Sequence, residues 1–378
     1  IARRQRQMCI RDRANDVYNN GSTVSTTITG ATGGNFENLV PSTTPAVTTI
    51  TDSIDTTTVT LTAGSTVTEG GQITYTATLT NPAQTPVTVT LSNGSVITIK
   101  AGESVGTVVV DTPANDVYNN GSTVSTTITG ATGGNFENLV PSTTPAVTTI
   151  TDSIDTTTVS LTATNTVTEG GQITYTATLT NPAQTPVTVT LSDGSVITIK
   201  AGESVGSVVV DTPPNDVYVN GSTVSTTITG ATGGNFENLV PNTTPAVTTI
   251  TDSIDTTTVT LTAPSEANEG GQITYTATLS NKAGTDVTLK LDNGSSITIK
   301  AGDTVGTVTV PAPSDDVFID KSTQTVKITD TAGGNFEKLE VAGDGATTTI
   351  NDTIDKVDVV LTATTTVGEG GNIVYTAS

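Results

Sequence analysis

The sequence predicts an all-β protein of tandem β-sandwich domains that are arranged in series as an elongated array. Three observations support this prediction. The stretch from Ala14 to Pro113 recurs from Ala114 to Pro213 with five substitutions, so the chain repeats with a period of 100 residues. Val, Ile, Leu and Thr alternate along most of each repeat, which is the period of a strand with one buried face. We find no apolar spacing typical of an amphipathic helix.

The repeat register divides the chain into domains. A third copy begins at Pro214, and a more divergent fourth copy begins at Ser314 and stops at Ser378. Residues 1–13 break the register and hold all five Arg, the only Cys and the only Met of the chain, so we expect them to be a non-native segment. The predicted domains are the C-terminal part of a repeat at 14–56, complete repeats at 57–156, 157–256 and 257–356, and the start of a truncated repeat at 357–378.

The repeat at 157–256 shows the predicted strands in order. Alternating apolar residues predict strand A at 159–163 and strand B at 173–179, on either side of a Glu-Gly-Gly turn at 169–171. A loop bounded by Pro at 181–186 then leads to strand C at 187–191. These three segments keep their apolar residues on one face, as a sandwich requires.

A two-residue hairpin starts the second half of the repeat. Asp193 and Gly194 both tolerate positive φ, so they predict a tight turn into strand D at 196–199. A long loop that contains Gly234 and Phe236 separates the last two strands. The remaining strands are E at 205–210, F at 224–228 and G at 246–251.

Seven short strands in 100 residues match the size and spacing of an Ig-like Greek-key sandwich. The Cys…Trp…Cys pattern of antibody domains is absent, because the chain has one Cys and no Trp. Only the architecture is therefore predicted. We expect Tyr175 and Phe236 to fill the core of their repeat.

The composition limits the possible functions. The chain has 14 Lys and Arg against 36 Asp and Glu, a net charge of −22. This balance disfavours nucleic acid and membranes as partners, because both would repel the chain. The chain contains no His, the residue most often used for acid–base catalysis at neutral pH. We therefore expect no enzyme and no catalytic residues.

Loop parity assigns most carboxylates to one end of each sandwich. If consecutive strands run antiparallel, the A–B, C–D and E–F turns and the end of strand G lie at the far pole, opposite the entry of the chain. Glu203 and Glu237 would lie at the near pole, close to the exit of the preceding domain. The acidic residues assigned to the far pole of the repeat at 157–256 are Glu169, Asp193, Asp211, Asp216, Asp252 and Asp255.

Such a cluster needs a compensating charge. Two carboxylates about 5 Å apart repel by roughly 3 kcal/mol at an effective dielectric constant of about 20. Ca²⁺ is the simplest partner because it takes about six to eight oxygen ligands in flexible geometry, whereas Mg²⁺ needs a tight octahedron. The alternative is that these residues only cap turns and keep the loops solvated. The candidate Ca²⁺ ligands are Glu69, Asp111, Asp116, Asp152, Asp155, Glu169, Asp211, Asp216, Asp252, Asp255, Glu269, Asp315, Asp316, Asp352 and Asp355.

Several motifs together carry a resemblance to a known family. The run TVTEGGQITYTATLTNPAQTPVTVTLSNGSVITIKAGESVGTVVV, followed by NDVY, GGNFENL and TTITDSIDTTTV, resembles the repeats of LapA-type biofilm adhesins of Gram-negative bacteria. The chain is similar, more distantly, to Calx-β domains. The resemblance covers essentially everything after residue 13.

The resemblance implies a very large protein that a type I system secretes and that is held at the outer membrane. Its repeats would act as an extender, a distal segment would bind, and Ca²⁺ would rigidify the domain junctions. Carried over by position, Asp152, Asp155 and Glu169 would be metal ligands. The chain departs from an all-acidic pattern at Asn115, Asn119 and Asn120 and their equivalents, whereas the end of the third copy keeps more acids, with Asp315, Asp316 and Asp320.

Two functional hypotheses remain open at this point. In the first, near-identical repeats form a structural extender, because spacers can be copied without specialisation. In the second, each repeat is a binding module for surface glycans or other adhesin chains, although aromatic residues that could stack on sugars make up only 3% of the chain. The first hypothesis is favoured.

Overall fold

The computed structural model describes residues 14–378, and the regular secondary structure of this part is β-strand throughout. The prediction of an all-β fold is confirmed. The predicted non-native segment at 1–13 lies outside the described residues. A search of the described chain for a helix able to span a membrane finds none.

Each complete repeat contains ten strands rather than the seven predicted. The strands of the first complete repeat are β3 (Thr56–Thr62), β4 (Thr66–Thr68), β5 (Gln72–Leu79), β6 (Val87–Leu91), β7 (Val96–Ile99), β8 (Val105–Asp111), β9 (Ser122–Thr126), β10 (Ile128–Gly133), β11 (Asn138–Pro141) and β12 (Ala146–Thr151), and they follow β1 (Ser22–Thr26) and β2 (Ala46–Ile50).

The next two repeats reproduce this order. The second contains β13 (Thr156–Ala163), β14 (Thr166–Thr168), β15 (Gln172–Leu179), β16 (Val187–Leu191), β17 (Val196–Ile199), β18 (Val205–Asp211), β19 (Ser222–Thr226), β20 (Ile228–Gly233), β21 (Asn238–Pro241) and β22 (Ala246–Thr251). The third contains β23 (Thr256–Thr262), β24 (Glu266–Asn268), β25 (Gln272–Leu279), β26 (Val287–Leu291), β27 (Ser296–Ile299), β28 (Val305–Pro311), β29 (Ser322–Val326), β30 (Ile328–Gly333), β31 (Lys338–Ala342) and β32 (Ala346–Asn351), and β33 (Leu361–Ala363) and β34 (Tyr375–Ala377) follow it.

The strands of each repeat form two layers. In the first complete repeat, one layer is the sheet β11-β3-β5-β8. The other layer contains the sheets β10-β6-β7 and β4-β12-β9, which are continuous because β9 and β10 are one strand interrupted at Thr127. The chain crosses from one layer to the other between β3 and β4. This order is that of the predicted Ig-like Greek-key sandwich.

The core lies between the two layers and follows from the alternation of residues. Along β15, Ile173, Tyr175, Ala177 and Leu179 are buried, while Gln and Thr occupy the outward positions. Tyr175 is 1% exposed, and its hydroxyl hydrogen-bonds the hydroxyl of Thr226 at 2.8 Å. The prediction of a core role for Tyr175 is therefore confirmed, and its one polar atom has a partner inside the core.

Strand F is about twice as long as strand C, and this difference shifts the C–D hairpin away from the pole. Ser192 donates a backbone hydrogen bond to Thr227 at 2.9 Å, whereas β19 extends back to Ser222, which pairs with Ile250 at the far pole. Thr227, beside the C–D hairpin, is five residues of extended chain from Ser222, so the hairpin lies about 17 Å from the far pole. The assignment of Asp193 to the far pole was therefore wrong.

Candidate metal centre

Carboxylates from two consecutive repeats meet at the first complete junction. Glu69, Asp152 and Glu237 each offer an oxygen, and these three atoms lie within 4.8 Å of one another. Glu69 follows β4 and Asp152 follows β12, so both lie at the far pole of one repeat. Glu237 lies in the loop between β20 and β21 of the next repeat. The site is therefore shared between two repeats.

The second complete junction repeats this arrangement. Glu169, Asp252 and Glu337 offer oxygens within the same 4.8 Å limit. Each residue stands 100 positions after its counterpart at the preceding junction. A convergence that recurs with the repeat is a property of the fold.

Backbone hydrogen bonds fix the position of Glu69. The backbone N–H of Glu69 donates to the carbonyl of Thr151 at 3.0 Å, next to Asp152. Gly70 adopts a φ of 70°, which favours glycine, and its N–H donates to the carbonyl of Pro113 at 2.7 Å. The Glu-Gly turn is thus attached to the end of β12 and to the segment that follows β8.

Glu237 is held from the preceding repeat. Its Oε2 accepts a hydrogen bond of 2.6 Å from the backbone N–H of Asp155. Its own N–H donates to the carbonyl of Val117 at 3.0 Å. The other carboxylate oxygen, Oε1, is buried and has no hydrogen-bond partner.

Each cluster contains buried carboxylate oxygens without partners. Glu69 is 6% exposed and Glu169 is 7% exposed, and the Oε1 atom of each makes no hydrogen bond. Asp152 Oδ1 and Glu337 Oε1 are also buried and make no hydrogen bond. The ion pairs found within residues 14–378 involve none of these carboxylates. A buried anionic oxygen without a donor is costly, and an ion is one of the groups that can satisfy it.

The pKa values of the buried Glu residues reflect this environment. Burial raises the pKa of Glu69 above its ordinary value, and the charges of Asp116 and Glu237 raise it further, against a hydrogen bond from the Asp116 backbone. Burial likewise raises the pKa of Glu169. In both cases the protein disfavours the ionised form unless a positive charge compensates it.

Among the described residues, the cluster of the third repeat consists of three residues of that repeat. Glu269, Asp316 and Asp320 offer oxygens within 4.8 Å of one another, and all three belong to the repeat at 257–356. Asp320 stands where the earlier repeats have Asn120 and Asn220. Burial, followed by the hydrogen bond and charge of Asp320, raises the pKa of Glu269 to about 7.

Some predicted ligands lie just outside the clusters. Asp116 accepts hydrogen bonds from the backbone N–H of Tyr118 at 2.7 Å and from the side chain of Asn120 at 2.9 Å. Asp155 accepts one of 2.6 Å from the side chain of Asn115. Neither carboxylate belongs to the group of three converging oxygens, although the charge of Asp116 acts on Glu69. Asp216 and Asp255 repeat these contacts at the next junction.

The remaining predicted ligands are not among the three residues of any cluster. Asp111 ends β8 on its exposed face and accepts a hydrogen bond from Gln72 at 2.8 Å, and Asp211 does the same with Gln172. The structure therefore does not bring Asp111 and Asp211 into the clusters. In the third repeat Asp352 accepts a hydrogen bond from the Asp320 backbone, Asp315 accepts one from the Thr353 hydroxyl, and Asp355 is exposed.

The candidate list omitted Glu237, Glu337 and Asp320. Loop parity had placed Glu237 near the exit of the preceding domain, and this placement agrees with the structure. The missing step was to count near-pole residues as ligands of the preceding repeat. Asp320 could have been found as the acid that replaces Asn220.

An aromatic contact crosses the same junctions. The rings of Tyr118 and Phe236 stack with centroids 5.6 Å apart and planes at 24°. Phe236 packs against the core of its repeat but is only partly buried, so the expectation that it fills the core was incomplete. We call the contact of Tyr118, Asn119, Asn235 and Phe236, with its counterparts at the other junctions, the aromatic clasp.

The clusters could hold a hard divalent cation. Their donors are carboxylate oxygens, which such ions prefer. Oxygens that bind one Ca²⁺ at about 2.4 Å lie no more than about 4.8 Å apart, so the spacing within each cluster fits one ion. The unpaired buried oxygens are a second observation that is consistent with a bound cation.

Comparisons with known proteins agree with the repeat architecture. The model of a family described as the LapA domain matches residues 5–53, 55–153, 155–253 and 255–353. Among solved structures, the chain is similar to a tetra-tandem repeat in the extending region of a large adhesion protein, at 15% identity and a TM-score of 0.29. That alignment covers 82% of this chain and 77% of the other. No curated protein matches the chain.

Proposed function

The chain belongs to the LapA domain family, and on this premise we propose that it is an extender region of a cell-surface adhesin whose domain junctions are rigidified by Ca²⁺. The observation that supports the proposal most strongly is that the clusters at the two complete junctions are each shared between consecutive repeats. An ion bound there would be a direct link between two domains.

The electrostatics of the junction give the ion its structural effect. Without a cation, Glu69, Asp152 and Glu237 repel one another, and neighbouring carboxylates about 5 Å apart repel by roughly 3 kcal/mol at an effective dielectric constant of about 20. Because Glu237 belongs to the following repeat, this repulsion pushes the two repeats apart. Binding of Ca²⁺ converts it into attraction and restricts the angle between the repeats.

Ca²⁺ suits these clusters better than other metals. The chain has no His, and the clusters contain no thiolate, so ligands typical of Zn²⁺ and Cu²⁺ are missing. Asymmetric clusters made from separate loops suit the flexible coordination of Ca²⁺ better than the octahedron of Mg²⁺. Glu69, Asp152 and Glu237 would hold the ion at the first complete junction, and Glu169, Asp252 and Glu337 at the second.

An extender needs length and stiffness rather than a binding cleft. In the first complete repeat the F strand, formed by β9 and β10, runs from Ser122 to Gly133, which corresponds to about 40 Å of extended chain. Repeats of this length, stiffened at their junctions, would hold a distal binding segment away from the cell. Family membership supports a surface location, secretion by a type I system and a role in biofilm formation.

Calorimetric titration of the full chain with Ca²⁺ tests the proposal. We expect one ion at each of the three clusters, and saturation at 100 times the Kd should stabilise the linked repeats by about 2.7 kcal/mol. The variant Glu237→Gln with Glu337→Gln should weaken binding at two clusters by at least about tenfold while the sandwiches stay folded. Glu203→Gln, at the same pole but outside the clusters, is the matched control.

Two results would refute the calcium role. One is the absence of any binding heat with metal-free protein at micromolar to millimolar Ca²⁺. The other is binding that Glu237→Gln with Glu337→Gln leaves unchanged, because the ions would then lie outside the junctions.

A further inference from the structure

We propose that Tyr118 and Tyr218 are positioning residues for the shared cation sites, because each stacks on the Phe that immediately precedes the ligand Glu of the next repeat. The inference rests on the proposed function, since it concerns how that site is assembled. Neither Tyr offers a carboxylate, so neither would touch the ion.

The first part of the argument is the contact of the ring with the following repeat. Tyr118 stacks on Phe236, and its hydroxyl donates a hydrogen bond of 2.7 Å to the carbonyl of Pro182. Phe236 and Pro182 both belong to the repeat at 157–256. A residue of the preceding repeat is thereby fixed on the near pole of the next one.

The second part is the backbone pairing on both sides of the ring. Tyr118 and Phe236 form an antiparallel β-bridge, and the N–H of Asn119 donates to the carbonyl of Asn235 at 3.0 Å. The N–H of Glu237 donates to the carbonyl of Val117 at 3.0 Å. The bridge therefore ends at Glu237 itself.

The third part is the position of the ligand carboxylate. Glu237 follows Phe236 directly, its backbone is bound by Val117 and its Oε2 is bound by the N–H of Asp155. Its buried Oε1 then remains for the cluster with Glu69 and Asp152. Because a shift of one residue in this loop would remove Oε1 from the cluster, the clasp determines the geometry of the site.

The clasp recurs with the repeat. Tyr218 stacks on Phe336 with centroids 5.8 Å apart and planes at 21°, and its hydroxyl donates to the carbonyl of Lys282. Tyr18 stacks on Phe136 at 5.7 Å in the same way. In both cases the following Glu residue donates its N–H to a Val carbonyl of the preceding repeat, at 3.0 Å.

The third cluster supplies an internal control. Among the described residues, Glu269, Asp316 and Asp320 form this cluster, and none of them follows a Phe of the clasp. Phe318 stands at the position of Tyr118 and Tyr218 in this repeat, and Phe differs from Tyr only by the hydroxyl. Tyr→Phe is therefore the conservative replacement.

The test is a calorimetric Ca²⁺ titration of the full chain carrying Tyr118→Ala with Tyr218→Ala. Loss of a group that orients a metal ligand commonly lowers affinity by about 10- to 100-fold. We expect this loss at the two shared sites and no change at the third cluster. Tyr118→Phe with Tyr218→Phe should stay within about threefold of the wild-type affinity.

The pair Phe236→Leu with Phe336→Leu removes the other ring of each clasp and keeps an apolar side chain at a partly buried position, Phe236, and at a buried one, Phe336. It should give the same selective loss, and circular dichroism verifies that each variant is folded. Wild-type affinity at both shared sites in either folded variant would overturn the inference. An equal loss of Ca²⁺ affinity at the third cluster would also overturn it. So would a loss of affinity in Tyr118→Phe with Tyr218→Phe as large as that in Tyr118→Ala with Tyr218→Ala. A wild-type chain that binds no Ca²⁺ would instead remove the proposed function.

Discussion

The ionisation state of Glu69 affects the junction between two repeats. The carboxylate is buried at the end of a turn, Asp152 and Glu237 approach it, and its Oε1 has no hydrogen-bond partner. Burial and neighbouring negative charge both favour the protonated form, and they raise the pKa of Glu69. Either a proton or a cation can relieve this conflict.

The raised pKa values have a consequence for stability in the absence of metal. Below the ordinary pKa of 4.5, Glu69, Glu169 and Glu269 are protonated in both folded and unfolded chains. As the pH rises towards 7, the unfolded chain releases these protons first, so the folded state loses relative stability. For Glu269 this window extends from 4.5 to about 7.

We therefore expect the metal-free chain to melt at a higher temperature at pH 5.5 than at pH 7.5. Thermal melts of protein stripped of metal by chelation and desalting measure this difference. Replacing Glu69, Glu169 and Glu269 by Gln should flatten the dependence, and replacing Glu103 and Glu203 should not. A melting temperature that falls on acidification over this range would contradict the assignment.

Single residues also explain where sequence reasoning succeeded. The alternation of apolar residues identified Tyr175 as a core residue, and the Glu-Gly-Gly turn identified Glu169 as a pole residue. The outward direction of Asp211 was missed, because it depends on which face of β18 the last residue occupies. Its neighbour Val210 faces inward, and counting back along the strand could have shown this.

At the scale of the elements, strands with local patterns were predictable and strands with distant partners were not. Strand β14 has three residues and pairs in parallel with β22, and β21 has four residues and pairs in parallel with β13. Such short strands have no recognisable period of their own, since their existence depends on a partner about 80 residues away. Asp193 was misplaced for a related reason, because strand length was not known.

We expect that the junction can be loosened by substitution without unfolding the two sandwiches that it connects. Asp252 belongs to the shared cluster, and Asp255 accepts a hydrogen bond of 2.7 Å from the side chain of Asn215. Neither residue belongs to the hydrophobic cores on either side. A change at these positions removes charge and hydrogen bonds from the junction and leaves the cores intact.

We expect Asp252→Ala with Asp255→Ala to loosen the junction between the repeats at 157–256 and 257–356 while both stay folded. In the presence of Ca²⁺, limited proteolysis should cut near residues 252–256 at least several times faster than in the wild type. Asp193→Asn, which copies Asn93 of the preceding repeat, is the control. Global unfolding in circular dichroism would contradict this division.

At the scale of the whole molecule, the net charge of −22 and the periodic clusters act together. A chain with this charge repels itself, which favours extension but leaves the angles between repeats free. Cations bound at the junctions would restrict these angles without introducing basic residues. The repeat architecture and the position of most acids at the poles of the sandwiches were predictable from the sequence. The sharing of two clusters between repeats was not, because it depends on how one repeat docks on the next.

The central claim is that Ca²⁺ holds consecutive repeats at fixed angles. Small-angle X-ray scattering of the full chain, with saturating Ca²⁺ and again after chelation, tests it most directly. We expect a longer maximum dimension and a rod-like profile with Ca²⁺, and the profile of a flexible chain of folded domains after chelation. Superimposable profiles in the two conditions, from protein shown to bind Ca²⁺, would contradict the claim.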